Sequence, residues 1–120
     1  MLPLLWGASS QGLIVAQALH RFLEGEGATT RVVENPDDIP PEAEVLIVDD
    51  VLYTGRTVLT RMIDLSVRFF PSRIEVAVLV DRGHRSFPIV PDYVGLRLAT
   101  TLQEYVEVRF AESGWEVWLV

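Results

Sequence analysis

The sequence predicts an α/β domain built on a mostly parallel five-stranded sheet, Rossmann-like in its order of elements, with a β-hairpin near the C terminus. Three observations support this fold class. Short apolar runs alternate with segments of helical periodicity, which is typical of β–α–β units. The run at residues 45–48 is apolar and mainly β-branched, as in a strand buried on both faces of a parallel sheet. Two alternating segments, residues 105–110 and 115–120, predict the hairpin.

Length and composition bound the possible functions. A chain of 120 residues, 49% of them hydrophobic, is long enough for one core, so we expect residues 1–120 to form a single domain. The absence of cysteine excludes disulfides and thiol chemistry and fits a cytoplasmic protein. No apolar run has the length of a membrane span, so no membrane partner is expected. The formal net charge of −7 argues against broad nonspecific binding of nucleic acid.

The elements can be assigned in order along the chain. Apolar periodicity predicts one helix over residues 11–23, with Ser9 or Ser10 as its N-cap, and a second helix that Pro71 ends. On the second helix, the spacing of Arg61, Asp64 and Arg68 predicts a solvent-exposed face. The five strands of the sheet are expected at residues 3–6, 31–34, 45–48, 74–80 and 93–98.

The most informative stretch follows the third strand. Asp49 and Asp50 stand at its C-terminal end, where open α/β sheets bind their ligands. Thr54, Gly55 and Thr57 then supply hydroxyls and backbone N–H groups where a helix begins, which suits a phosphate monoester. The two carboxylates could accept hydrogen bonds from vicinal hydroxyls, so the run predicts a ribose 5-phosphate site. The alternative is a solvated acid pair before an ordinary capped helix.

A second strand–loop–helix unit occurs at the N-terminal end of the chain. Ala8, Ser9 and Ser10 follow the first strand and precede the first helix, so their N–H groups could hold a second anion. A plain capped helix explains the same residues equally well.

The run at residues 48–58 resembles the phosphoribosyl-pyrophosphate (PRPP) motif of type I phosphoribosyltransferases, and most closely that of the PyrR group. A second block at residues 77–85, with further agreement to residue 95, supports the resemblance. It implies binding of PRPP or UMP, uracil phosphoribosyltransferase activity with substrate-bound Mg²⁺, and homo-oligomers. It also implies RNA binding that attenuates transcription, although the net negative charge makes RNA a less favoured partner here.

The resemblance implies a role for each motif residue. Asp49 and Asp50 would be catalytic, and no protein residue would ligate a metal directly. The phosphate-binding residues would be Val51, Leu52, Tyr53, Thr54, Gly55, Arg56 and Thr57. The pyrophosphate loop would be Ala8, Ser9 and Ser10; the base would lie against Val80, Asp81, Arg82 and Gly83; and RNA would contact His84 and Arg85.

The chain also departs from this family at several points. Active members have a long flexible lid loop between the second and third strands and an N-terminal helix, and neither is expected here. The pyrophosphate loop carries no charge, and Val90 stands where the group has an arginine. We therefore expect nucleotide binding with weak or lost turnover. A fully active enzyme, a nucleotide-responsive RNA-binding regulator and a degenerate subunit are the alternatives.

Overall fold

The structure is a computed structural model that describes residues 4–68, 70–111 and 114–120. Helices α1 and α2 span Ser10–Gly25 and Arg56–Arg68, and a 3₁₀ turn spans Pro36–Asp38. The strands are β1 (Leu4–Gly7), β2 (Arg31–Val33), β3 (Glu44–Leu52), β4 (Arg73–Asp81), β5 (Tyr93–Arg97), β6 (Val106–Ala111) and β7 (Gly114–Leu119).

The five-stranded sheet confirms the predicted fold class. Its strand order is β2–β1–β3–β4–β5, and every neighbouring pair is parallel. Strands β6 and β7 form a separate antiparallel pair, which is the predicted hairpin. The predicted first strand began at Pro3, which lies outside the described residues.

The two helices cover opposite faces of the sheet. On one face, Val58 and Leu65 of α2 pack with Trp6, Ile47 and Val76 of three strands in the larger buried cluster. On the other face, α1 contributes Val15 and Ala16 to a smaller cluster with Leu5 and Val48. The central strand β3 therefore has apolar side chains on both faces, as its near-continuous apolar sequence predicted.

The α1 face is covered only in part. Helix α1 lies over β1 and β3, and a cleft of about 1080 Å³ remains between this helix, strands β4 and β5, and the start of β7. Phe22 of α1 lines this cleft and is 64% exposed, because no described element packs over it. A parallel sheet ordinarily has both faces covered, so this half of the face is unusually open.

The connection between β2 and β3 bears on function. Residues 34–43 join β2 to β3 with only the short 3₁₀ turn, so the expected absence of a long loop at this point is confirmed.

The helices of the described residues are too short or too polar to cross a membrane.

Candidate functional site

The carboxyl ends of three strands meet at one edge of the sheet. Gly7 of β1 is in register with Val48 of β3, and Leu52 of β3 with Asp81 of β4. The loops that follow these strands, residues 8–9, 53–55 and 82–92, therefore lie side by side. The sequence predicted that the third strand ends at residue 48, but β3 continues to Leu52, so the candidate residues 49–52 belong to the strand and not to the loop. The other candidate site residues lie on these three loops or at the adjoining ends of α1, α2 and β4.

The loop that follows β4 packs against the turn at residues 53–55 and forms hydrogen bonds with it. The carbonyl of Thr54 accepts hydrogen bonds from the N–H groups of Ser86 and Phe87, both at 3.0 Å. Gly55 has a φ of 91°, and a Cβ at this position would lie 3.0 Å from Ile89 Cγ1. The glycine is therefore required both by its backbone conformation and by the close packing.

Helix α2 begins directly after this turn. Arg56 is its first residue, and the Arg56 N–H donates to the Thr54 hydroxyl at 3.3 Å. Arg56 and Thr57 are exposed, whereas Thr54 is half-buried. The positive end of the helix dipole thus lies at an accessible loop, which is an arrangement that attracts an anion.

The two adjacent aspartates occupy different environments. Asp49 is only 5% exposed, and its Oδ1 accepts from the Ser9 hydroxyl at 2.8 Å and from the Asp50 N–H at 2.9 Å. Burial, together with the neighbouring Asp50 carboxyl, raises the pKa of Asp49 from 3.8 to about 7, although the Ser9 hydrogen bond opposes the shift. Asp50 is half-buried, so it is the more accessible carboxylate of the pair.

The loop after β1 is tied to the same strand end. The Ala8 N–H donates to the Val48 carbonyl at 2.8 Å, and the Ser9 hydroxyl accepts from the Gly12 N–H at 3.0 Å as the N-cap of α1. A Cβ at Gly12 would lie 2.5 Å from the Val48 carbonyl oxygen, so the helix approaches β3 more closely than another residue would allow. Ser10 is exposed at the first position of the helix.

Arg61 borders the candidate site, and the sequence did not indicate this. Its spacing placed it on the exposed face of the second helix, and that prediction was wrong. The side chain is half-buried, and its Nε donates to the carbonyl of Ala8 at 3.0 Å. No local pattern could have shown this, because the contact joins helix α2 to the loop after β1, 53 residues away in the sequence.

The residues predicted to bind the base lie at the end of β4. Val80 is fully buried, Asp81 is half-buried, and Gly83 is exposed with a φ of 80°. Arg82 is only 6% exposed, and its guanidinium stacks over the Tyr53 ring at 4.1 Å from the centroid. The Arg82 side chain therefore faces the protein interior, which leaves the backbone of this segment as the part that can approach a base.

Arg82 also holds the chain that follows β5. Its Nε donates to the Thr100 hydroxyl at 3.1 Å, and its Nη2 donates to the carbonyls of Thr101 and Glu104. Residues 100–104 are consequently fixed next to the end of β4.

A family model and several known proteins resemble this chain. The model for the phosphoribosyl transferase domain matches residues 22–108, which include both motif blocks but not the loop after β1. The chain belongs to the phosphoribosyltransferase domain family. Bifunctional PyrR proteins of Bacillus mycoides and Bacillus cereus are each 51% identical over 79 residues, 63% of this chain and 44% of the relative. This phosphoribosyltransferase-family chain thus matches less than half the length of those relatives.

Solved structures show the same fold. The hypoxanthine phosphoribosyltransferase of Trypanosoma cruzi has a TM-score of 0.67 at 22% identity, over 88% of this chain and 64% of that one. An HGPRT-ase from Leishmania tarentolae in complex with GMP has a TM-score of 0.70 at 21% identity, with the same coverage. At this level of identity, the likeness establishes the phosphoribosyltransferase fold alone.

In this phosphoribosyltransferase domain, the residues predicted to contact RNA make bonds within the chain. Arg85 donates to both carboxylate oxygens of Asp81 and to the carbonyls of Tyr53 and Ile89. Although burial opposes the shift, these Arg85 bonds and the Gly83 N–H lower the pKa of Asp81. His84 contacts the carbonyl of Thr100 and the edge of the Tyr53 ring. The RNA contact stays a prediction, and the guanidinium of Arg85 would have to leave these partners to make it.

Proposed function

We propose that this phosphoribosyltransferase-family protein binds PRPP or a pyrimidine nucleotide such as UMP, with uracil phosphoribosyltransferase turnover that is weak or absent. One observation carries the proposal. The turn at residues 53–55 opens helix α2 beside the half-buried Asp50, and the whole arrangement stands at the carboxyl edge of the parallel sheet.

The two ends of the ligand have different partners in this proposal. The 5′-phosphate binds the turn and the first N–H groups of α2, where the helix dipole favours negative charge. Asp50 accepts hydrogen bonds from the ribose hydroxyls. Asp49 is the positioning residue, since its carboxyl bonds the Ser9 hydroxyl and the Asp50 N–H and so orients both loops.

The base would lie against the backbone of residues 80–83. Uracil is favoured because the chain shares 51% identity with the PyrR proteins over the matched segment. In an active enzyme, the bond between ribose C1 and the diphosphate breaks and pyrophosphate leaves. A bond from C1 to the base nitrogen forms, and the proton of that nitrogen is released to solvent. Mg²⁺ enters as part of the PRPP substrate, neutralising the diphosphate charge.

Weak turnover follows from the short connection at residues 34–43. A lid that closes over the substrate excludes water and completes the site in many enzymes. This connection contains one 3₁₀ turn and no long loop, so we expect it to leave a bound nucleotide open to water.

Calorimetric titration with UMP tests the binding. We expect saturable binding to the wild-type protein and a loss of affinity of about tenfold or more in Asp50→Ala, because bonds from ligand hydroxyls to a carboxylate are lost. Asp38→Ala is the matched control, since Asp38 is exposed on the 3₁₀ turn. Unchanged UMP binding in folded Asp50→Ala would refute the assignment of the ribose site.

Incubation of the protein with PRPP, Mg²⁺ and uracil, followed by chromatography for UMP, tests turnover separately. Little or no UMP above the Asp50→Ala background is the expected result. Production of UMP well above that background would show that the protein is an active enzyme without a lid of its own.

A further inference from the structure

We propose that Arg61 of helix α2 supplies the positive charge for a diphosphate group bound at the loop after β1. This inference rests on the proposed function and deepens it, because it names the residue that would recognise the second anion of PRPP. The loop itself, Ala8 to Ser10, has no charged side chain.

The contacts of Arg61 direct its guanidinium to this loop. Its Nε donates to the carbonyl of Ala8 at 3.0 Å, and its Cζ lies 5.9 Å from the centroid of the Trp6 ring. The indole face and the carbonyl together fix the orientation of the guanidinium. Because only Nε is used in this bond, Nη1 and Nη2 remain available as donors to a ligand.

Within the described part of the chain, no ion pair neutralises the charge of Arg61. Across residues 4–68, 70–111 and 114–120, no carboxylate forms an ion pair with Arg61, whereas Arg68 on the same helix pairs with Asp64 and Asp37. An arginine without an acidic partner beside a cleft is better suited to an anionic ligand than to a structural ion pair.

A cleft of about 390 Å³ stands in front of this guanidinium. Its lining includes residues 7–10, the first turn of α1, Arg61 and Glu34. The cleft has room for a diphosphate group, and the N terminus of α1 and Arg61 form its electropositive side. Glu34 is exposed on the lining, so we expect the diphosphate to bind as its Mg²⁺ complex, in which the metal offsets the carboxylate charge.

Two ligands separate the anion sites in the experiment. Inorganic pyrophosphate with Mg²⁺ probes the cleft alone, and UMP probes the turn at residues 53–55 and Asp50. We expect Arg61→Gln to lower pyrophosphate and PRPP affinity about tenfold or more, through the loss of charge-assisted hydrogen bonds, and to leave UMP affinity within about twofold.

Two further variants distinguish charge recognition from a structural role. Arg61→Lys should recover part of the pyrophosphate affinity, because it restores the charge. Arg21→Gln removes one exposed arginine from α1 and should leave the binding of both ligands unchanged. Melting temperatures of all variants are compared with that of the wild type. A lower value shows that loss of the bond to Ala8 has destabilised the protein.

The outcomes test the two proposals separately. If wild-type protein binds UMP and pyrophosphate but Arg61→Gln weakens both equally, or neither, the role of Arg61 is refuted and the proposed function stands. Absence of pyrophosphate binding in UMP-binding protein also refutes it. If the wild-type protein binds neither UMP nor PRPP, the proposed function itself fails.

Discussion

The Ser9 hydroxyl donates a 2.8 Å hydrogen bond to the buried carboxyl of Asp49, which joins the loop before α1 to the end of β3. This bond therefore connects the loop after β1 with the end of β3, the two parts of the candidate site. The Asp50 N–H donates to the same Oδ1 atom. A change at Asp49 should consequently affect both loops, even though its side chain is removed from solvent.

The raised pKa of Asp49 predicts a pH dependence of stability. Its pKa is about 7 in the folded protein, against 3.8 for an unperturbed aspartate. At a pH between these two values, the Asp49 carboxyl is protonated in the folded protein and ionised in the unfolded protein. The stability contributed by protonated Asp49 is therefore full below about pH 4 and is lost as pH rises through 7, at about 1.4 kcal/mol per pH unit.

Asp49→Asn isolates this contribution, because the amide Oδ1 can accept both existing hydrogen bonds without carrying a charge. Relative to wild type, the variant should gain stability between pH 4.5 and pH 8 in urea unfolding experiments. Asp38→Asn, on an exposed turn, should show no such trend. If the free energies of unfolding of Asp49→Asn and wild type differ by the same amount at both pH values, the raised pKa of Asp49 is contradicted.

Gly55→Ala should damage the phosphate-binding turn. The positive φ costs about 1–2 kcal/mol for an alanine, and the added Cβ meets Ile89. We expect a lower melting temperature and at least tenfold weaker UMP binding.

Gly25→Ala is the matched control for this substitution. Gly25 is the last residue of α1, and a Cβ there would meet nothing within 4 Å. It should leave UMP binding unchanged and stabilise slightly, by up to about 1 kcal/mol. If both alanine variants bind UMP like wild type, the turn at residues 53–55 is not the phosphate site.

Arg85→Met should destabilise the protein by roughly 3 kcal/mol in urea unfolding, since it leaves the largely buried carboxylate of Asp81 unpaired. It also removes the bond from Arg85 to the Tyr53 carbonyl at 2.7 Å, so UMP affinity should fall as well. Arg73→Met breaks an exposed pair with Glu75 and should change stability by less than about 1 kcal/mol. Wild-type stability of Arg85→Met would instead favour a free surface role, as RNA contact requires.

Self-association is predicted at the hairpin and the open cleft beside it. Trp115, Val117 and Leu119 lie on one face of β7 and are each more than a third exposed, which leaves a large apolar area in water. Sedimentation velocity should show oligomers that increase with concentration, and Leu119→Glu should shift them toward monomer. Glu107→Gln, on the other face of the hairpin, should have no effect. A monomer at all concentrations would contradict the prediction.

The sequence alone was sufficient for the order of elements, and it supplied most residues of the candidate site as a prediction. Periodicity and turn residues are local signals, so the strands, the two helices and the hairpin could be placed within a few residues. Asp50, Thr54 and Gly55 could be assigned because a strand, a turn and a helix start follow one another directly in the chain. The carboxyl edge of the sheet then required only the rule that parallel strands end on the same side.

The tertiary structure alone determined which side chains the site can use. Arg61 contacts Ala8, 53 residues away along the chain, and Ser9 contacts Asp49, 40 residues away. Arg82 bonds the Thr100 hydroxyl and Arg85 bonds the Tyr53 carbonyl, both on other loops. Asp49 is buried while Asp50 remains accessible. Helical spacing identifies which residues share a face but not what that face meets. Burial and hydrogen bonding between distant loops therefore depend on the packed fold rather than on any local pattern.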